Sequence, residues 1–357
     1  MPALWGRTYT RAELMARVGD ISQIGGVRSS RLDGGAGDGL PVVDVDTGSG
    51  FRFTVVPGRA LDISGAWYKG VPLGFRTPTG DVQGARFEPA DQGWLRSNVL
   101  GLLVTCGLDN IGNPGADESG PHGLHGRLSN LAASNVLAEG AWVGDEYELS
   151  VQGRVRQAAL FAENLELKRR ITTRLGSSEL RLHDEVTNLG HRPEPMLIMY
   201  HMNTGYPIID QGARLHVRSR SRRPWNEHSA RTEAQWAEHA GPTAGWQPQV
   251  WVHDLEAAPD GTVHAALVNR AFVDGIGLEF VWNKRQLPYL NHWRQLGLGE
   301  YVTGIEPGNG TVLGRVQNRL DGTLPVLPPG ATATFDLGIR VLDGAEAIDA
   351  AIARAGA

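Results

Sequence analysis

Polar and apolar residues alternate along much of the chain. Between Asp145 and Gln157, Tyr147, Leu149, Val151 and Val155 fall on one face and Glu146, Glu148, Gln152 and Arg154 on the other. The same period of two recurs in Leu165, Leu167 and Ile171, and again in Leu180, Leu182 and Val186. It returns late in the chain with Ile276, Leu278, Phe280 and Trp282, then with Phe335, Leu337, Ile339 and Val341. Successive side chains of a strand point to opposite faces, so each run predicts a strand with one wet face and one dry face. Antiparallel sheets are built from such strands. Turn formers separate the runs, among them Asn188-Leu189-Gly190 and Asp321-Gly322. Short alternating runs at intervals of ~10 residues, with turns between them, predict an all-β fold, a large antiparallel sandwich.

Helical signals are confined to the ends. Thr10-Arg11-Ala12-Glu13 reads as a capping box, with Leu14, Met15 and Val18 as its apolar face. Residues Ala345 to Ala355 read as a closing helix. The polar, irregular stretch Pro224 to Gly245 reads as an insertion or lid loop. Length alone, at ~150 residues per domain, would split a 357-residue chain in two. Large β-sandwiches exceed that size as one unit, and no internal repeat or long linker divides this chain. One domain over 1–357 is therefore expected, with an N-terminal arm over 1–24 and the C-terminal helix over 344–357.

The balance of 34 basic and 39 acidic residues leaves a formal charge of −5. No strong positive field would meet phosphates, so a nucleic-acid partner is not expected. Only Lys69, Lys168 and Lys284 are lysines; the remaining basic residues are arginines. The single cysteine, Cys106, excludes an internal disulfide and a cysteine-rich zinc site. The first residues lack the apolar stretch and cleavage site of a secretory signal. No apolar run approaches ~20 residues, so no membrane span is expected. A cytoplasmic location is the default expectation.

Five groups place chemically capable residues in unusual company. An apolar run from Gly101 ends in Asp109 and Asn110. His122-Gly-Leu-His125-Gly-Arg127 is a glycine-flanked turn. Met199-Tyr-His201-Met-Asn203 puts a histidine at the end of an apolar strand. Asn291-His292-Trp293-Arg294 and Gly304-Ile-Glu306-Pro-Gly-Asn309 complete the set. Each has a structural alternative. His125 could be a turn donor, His201 a satisfied core histidine and Glu306 a turn cap. Asp109 and Asn110 suit a turn, Arg294 a rim and Trp293 plain core.

In their order, the groups resemble the aldose 1-epimerases (galactose mutarotases). Gly-Leu-His125-Gly, the strand-end His201 and the late Ile-Glu306-Pro follow that family's succession of His, His and Glu. The wording Gly-Leu-Leu-Val-Thr-Cys-Gly-Leu-Asp-Asn, Gly-Leu-His-Gly-Arg and Glu-Tyr-Val-Thr-Gly-Ile-Glu-Pro-Gly-Asn is similar to a divergent branch largely without assigned function. The resemblance runs from about Gly25 to Asp343. It implies a large antiparallel supersandwich. It also implies Glu306 as the base at the anomeric hydroxyl, His201 as the acid at the ring oxygen, and His125 as a sugar-orienting group. Asp109 and Asn110 fall near the place where family members carry a sugar-binding Arg; Arg127 or Arg59 could supply that cation. Gln249 stands nearest a substrate-binding Asp of the family, and a neutral amide would read a different hydroxyl pattern. Asn203, His292 and Arg294 complete the expected polar lining.

Mutarotation needs one acid and one base and no cofactor. Imidazole titrates near ~6.5, and a carboxylate against an apolar wall is raised toward neutrality, so both suit proton transfer at neutral pH. A small sugar is the expected partner, and a homodimer is compatible with the chain. Other readings keep the fold. The same acid–base pair could isomerise or eliminate on a keto-sugar. Arg218, Arg220, Arg222 and Arg223 could hold a sugar phosphate. The protein could bind carbohydrate without turning it over. A metal held by His122, His125, His201 and His292 is the weakest option, since no ligand spacing supports it.

Overall fold

The structure, a computed structural model, describes residues 1–356. The alternating runs all fall in one eight-stranded sheet. Its order in space is Ser134–Val143, Glu146–Ala158, Asn164–Arg174, Glu179–Asn188, Thr332–Asp343, Ile276–Asn283, Thr262–Asn269 and Arg214–Val217. Every pairing is antiparallel. Apolar positions meet across the ladder, as where Val151 faces Ile171 and Leu167 faces Val186. Their side chains form the floor of the main core.

An eleven-stranded antiparallel sheet covers that floor. Five of its central strands carry the candidate site: β1 (Leu103–Leu108), β2 (Leu197–Gly205), β3 (Gln249–Leu255), β4 (Tyr289–Gly297) and β5 (Glu300–Gly308). They lie side by side in the order β3-β4-β5-β2-β1. Every residue of β2 is buried, as is every residue of β5 after Glu300. One face of these strands joins the main core through Ile198, Tyr200, Met202 and Ile305. The other carries a second apolar cluster that includes Trp94, Val104, Cys106, Met199 and Val250, with Phe75 and Trp293 packed against it.

A fully buried ion network ties the two sheets. Arg169 stands on the core face of its strand, where alternation calls for an apolar residue. It donates to Asp184 at 2.7 and 3.0 Å, to Asp62 at 3.0 Å and to the Thr105 hydroxyl at 2.8 Å. The Tyr200 hydroxyl donates to Asp184 at 2.7 Å. Asp62 opens the strand Asp62–Tyr68 of the large sheet and Thr105 lies on β1, so one guanidinium links both layers. Even so, burial raises the Asp62 carboxyl to about 6.

Among the described residues, four α-helices decorate the sandwich: α1 (Arg11–Met15), α2 (Glu227–Arg231), α3 (Arg315–Leu320) and α4 (Ala345–Ala355). The Thr10–Glu13 capping box forms, but α1 runs only five residues. Leu14 is buried, Met15 is exposed, and Val18 lies beyond the helix end. The stretch Pro224–Gly245 is not a cover over β2 and β5. It packs on the core side of β3 and β4, where Trp251 Nε1 donates to Ser229 O and Arg294 Nη1 donates to Gln235 O.

Candidate functional site

Register brings the pair together. Asn203 of β2 faces Gly304 of β5, and Met202 faces Ile305, which sets His201 beside Glu306. Across β5, Asn291 faces Glu306 and Trp293 faces Gly304; across β2, Val104 faces His201. His201, Asn203, Gly304, Glu306, Asn291, Trp293 and Val104 share the face turned away from the main core, while Met202 and Ile305 point into it. His201 Nε2 stands 3.1 Å from Glu306 Oε1, with both side chains buried. That contact is no hydrogen bond: Glu306 Oε1 and His201 Nδ1 are buried polar atoms without a partner. Gly304 makes the approach sterically feasible, because a Cβ there would overlap the Glu306 carboxylate and press on the His201 ring.

His125 arrives from the loop after β1. Its backbone sits at φ +58°, a left-handed conformation that costs a non-glycine residue energy and so must be held by its surroundings. Its N–H donates to Gly112 O, its carbonyl accepts from the Gly107 N–H, and its Nδ1 accepts from the Gly112 N–H at 3.1 Å. An Nδ1 that accepts leaves the proton of the neutral ring on Nε2. The ring lies 5.3 Å from that of His201 and 4.7 Å from Trp94, whose indole N–H donates to Ser129 Oγ. On the other side, Trp293 meets His201 edge-on at 5.6 Å and remains partly exposed. Asn203 Nδ2 donates to the His201 carbonyl, which leaves its Oδ1 buried without a partner. Phe75 packs on Gly205, two residues further along the same face.

Burial sets the electrostatics. It raises the Glu306 carboxyl well above the ordinary carboxylate range, because no cation offsets the loss of water. It lowers His201 to about 4, and with His201 nearby it pushes His125 far below the usual histidine value. Burial thus favours the protonated carboxyl of Glu306 and the neutral ring of His201. The neighbouring Cys106 thiol is also raised by burial, then by Glu306, so it stays protonated.

Of the remaining sequence candidates, Arg59 is adjacent but committed. It donates to the carbonyls of Ser129, Val82 and Ser97 at 2.6–2.9 Å, and so braces the Ser129–Trp94 support behind His125. With Val104 it lines a cavity of about 10 Å³. Asp109, Asn110 and Arg127 do not reach the pair. Asp109 Oδ1 accepts from Gln157 and from the Arg127 N–H; Asn110 is spent on Asn113 O, Gly123 O and the Arg315 N–H; and the Arg127 guanidinium pairs with Glu163. Gln249, His292 and Arg294 lie on the opposite face of β3 and β4. There Gln249 accepts from Arg294 at 2.7 Å and His292 sits against Thr303. The sequence expectation had grouped them with the pair, but the period of a strand sends His292 and Trp293 to opposite sides.

The metal option disperses as well. His122 pairs with Asp117 and Asp109, away from His201. Among the described residues, no group of three or more His, Cys, Asp or Glu is arranged to hold a metal ion. The arginine run does not converge either: Arg222 stacks on Trp236 and Arg223 approaches Asp321. Phe75, Trp94 and Gly304 are site residues that sequence reasoning passed over. Trp94 sits in an irregular stretch with no period to mark it.

A family model described as Domain of unknown function (DUF4432) matches residues 37–341, a span that contains His125, His201 and Glu306. The chain belongs to the DUF4432 family. Among solved structures, this DUF4432 protein is similar to a candidate aldose 1-epimerase from Klebsiella pneumoniae, with 27% identity and a TM-score of 0.86 over 92% of this chain and 86% of that one. A galactose mutarotase-like protein from Clostridium acetobutylicum gives 14% identity and 0.61 over 89% and 99%. A galactose 1-epimerase from Lactobacillus acidophilus gives 11% and 0.57 over 89% and 99%. No curated protein sequence matches the chain. The fold is thus the galactose mutarotase-like sandwich, and the DUF4432 family is a divergent branch of it. No helix among the described residues is long and apolar enough to cross a membrane.

Proposed function

We propose that this DUF4432 protein is an aldose 1-epimerase-like enzyme that interconverts sugar anomers. The observation that carries the proposal is the contact of 3.1 Å between His201 Nε2 and Glu306 Oε1, two buried side chains that meet without a hydrogen bond. The two oxygens of a hemiacetal are bonded to one carbon, so an acid and a base that serve both must stand side by side. Glu306 takes the proton of the anomeric hydroxyl, and His201 gives one to the ring oxygen. The bond from C1 to the ring oxygen breaks as the carbonyl forms. Rotation about the C1–C2 bond presents the other face of the aldehyde, and the reverse transfers close the ring. The pair ends with the one proton it began with, and no cofactor is consumed.

Burial by itself favours that proton on Glu306. Hydroxyl groups of a bound sugar would donate to the carboxylate and favour its charged form, which moves the proton to His201 across the short gap. His125 Nε2–H and Asn203 Oδ1 supply one donor and one acceptor for other hydroxyls, and Trp293 and Phe75 suit the apolar face of a ring. The test is anomer exchange, followed by NMR over hexoses, pentoses and deoxy-sugars. On a sugar that responds, Glu306→Gln and His201→Asn should each lower kcat/KM by ~10²–10⁴. Rates equal to wild type in both variants would overturn the assignment. Binding without turnover, unchanged in Glu306→Gln, would indicate a carbohydrate-binding protein.

A further inference from the structure

The four outer edges of the two sheets are unequally protected. A strand edge exposes unpaired N–H and C=O groups, and proteins blunt such edges with charge, proline or short length. Ser219–Pro224 carries Arg220, Arg222, Arg223 and a proline. Gly26–Arg31 carries Arg28 and Arg31. Arg214–Val217 is four residues long and begins with an arginine. The fourth edge, Ser134–Val143, is ten residues long and has no Lys, Arg or Pro; its one charge is Glu139, and a β-bulge at Asn135 leaves Leu137–Val143 as its regular stretch. Val136, Leu137 and Val143 on it are 40%, 43% and 65% exposed. Among the described residues it pairs only with Glu146–Ala158.

We propose that this edge is a dimer interface, and that two copies of the chain pair Ser134–Val143 antiparallel about a two-fold axis through Gly140. The sequence of the strand selects a second copy as the partner, because this pairing is self-complementary. Ala138, Gly140 and Trp142 turn inward, while Leu137, Glu139, Ala141 and Val143 turn outward. About Gly140, Leu137 of each copy meets Val143 of the other, and Glu139 meets Ala141. A two-fold at Glu139 would set two carboxylates directly opposite, which destabilises a strand pair. A two-fold at Ala141 would set Glu139 against Val143. The axis at Gly140 pairs the whole regular stretch Leu137–Val143, matches Leu137 to Val143 and keeps the acids apart, whereas an axis at Leu137 would draw the bulged Asn135 into the pairing. The paired edges join two eight-stranded sheets into one continuous sheet, and each edge satisfies the outward backbone groups of the other.

Sedimentation velocity across a concentration series tests the pairing. The wild-type chain is expected to reach twice the chain mass. Leu137→Lys and Val143→Glu, at exposed positions that leave the fold intact by circular dichroism, should each halve that mass. The combined Leu137→Lys/Val143→Glu variant should return to the dimer, because the new lysine of each copy meets the new glutamate of the other. Ala141→Lys is a second monomer-forming variant should either single variant fold poorly. A wild-type chain that stays monomeric, single variants that stay dimeric, or a double variant that stays monomeric would each overturn the proposal.

Discussion

In the eight-stranded sheet, the strand Asn164–Arg174 buries Leu165, Leu167 and Ile171 and leaves Lys168 and Arg170 in water. In β2 of the large sheet, every residue from Leu197 to Gly205 is buried. The first strand has solvent on one side. The second has the sandwich core on one side and the aromatic wall of the site on the other. Water-facing positions tolerate charge because water solvates it. In β2 and β5 there is no water to do so, and burial shifts both His201 and Glu306 toward their neutral forms. A groove of about 580 Å³ on the outer face of the eight-stranded sheet is lined by Glu179 and Asp336, and both carboxylates have partners. On the outer face of the large sheet, His201, Asn203 and Glu306 each leave a buried polar atom without a partner.

The sharpest test of this contrast is Arg169, a buried cation on the dry face of the eight-stranded sheet. Arg169→Met would leave Asp62 and Asp184 buried without a cation, and should cost about 3–5 kcal/mol in urea unfolding at pH 7. Asp62 already has a raised carboxyl in the folded state, at about 6. A folded-state value above the unfolded one favours folding of the protonated form as pH falls, so the deficit should shrink between pH 7 and pH 5. A loss below about 1 kcal/mol would rank the network with exposed ion pairs.

Two glycine substitutions compare the sheets directly. Gly304→Ala forces a methyl group into the Glu306–His201 gap and should lower kcat by about 100-fold through misplacement of the pair. Gly338→Ala lies on the outer face of the eight-stranded sheet, where a Cβ would meet nothing closer than 3.8 Å, and should leave kcat unchanged. Equal effects of the two would dissolve the distinction between support and site.

The pH profile comes next in size. The active pair carries one proton, and a second proton on His201 removes the remaining base. Since burial lowers His201 to about 4, kcat/KM should stay level from neutrality down to that value and fall about tenfold per pH unit below it. An acid limb near the ordinary histidine value of ~6.5 would mean that His201 is solvated in solution. The smallest effect is expected on the wet face. Lys168 lies 3.5 Å from Glu185 with both side chains exposed, so Lys168→Ala should change stability by no more than about 0.5 kcal/mol.

The legibility of each region follows from its solvent exposure. Alternation marked the strands around Leu149, Leu167, Leu182, Phe280 and Ile339 because one side of each meets water. In β2, β3, β4 and β5 burial on both sides erases that period. Nothing in Asn291-His292-Trp293-Arg294 tells which members face the site, and the structure turns Trp293 toward it and His292 and Arg294 away. Asp109 and Arg127 flank the His125 loop closely in sequence, yet their hydrogen bonds run to Gln157 and Glu163 on the other sheet.

By itself, the sequence determined an antiparallel all-β sandwich, the capped turn at Thr10 and the closing helix at Ala345–Ala355. These depend on local period and on caps, which neighbouring residues specify. The order of His125, His201 and Glu306 also pointed to a single site through family resemblance. Only the tertiary structure decided that His201 and Glu306 are cross-strand neighbours, that Gly304 opens the space between them, and that Trp94 and Trp293 wall the pocket. Those relations join residues up to about two hundred positions apart, and they follow from which strands pair and in what register. A single strand carries no record of its partner's register when both its faces are dry.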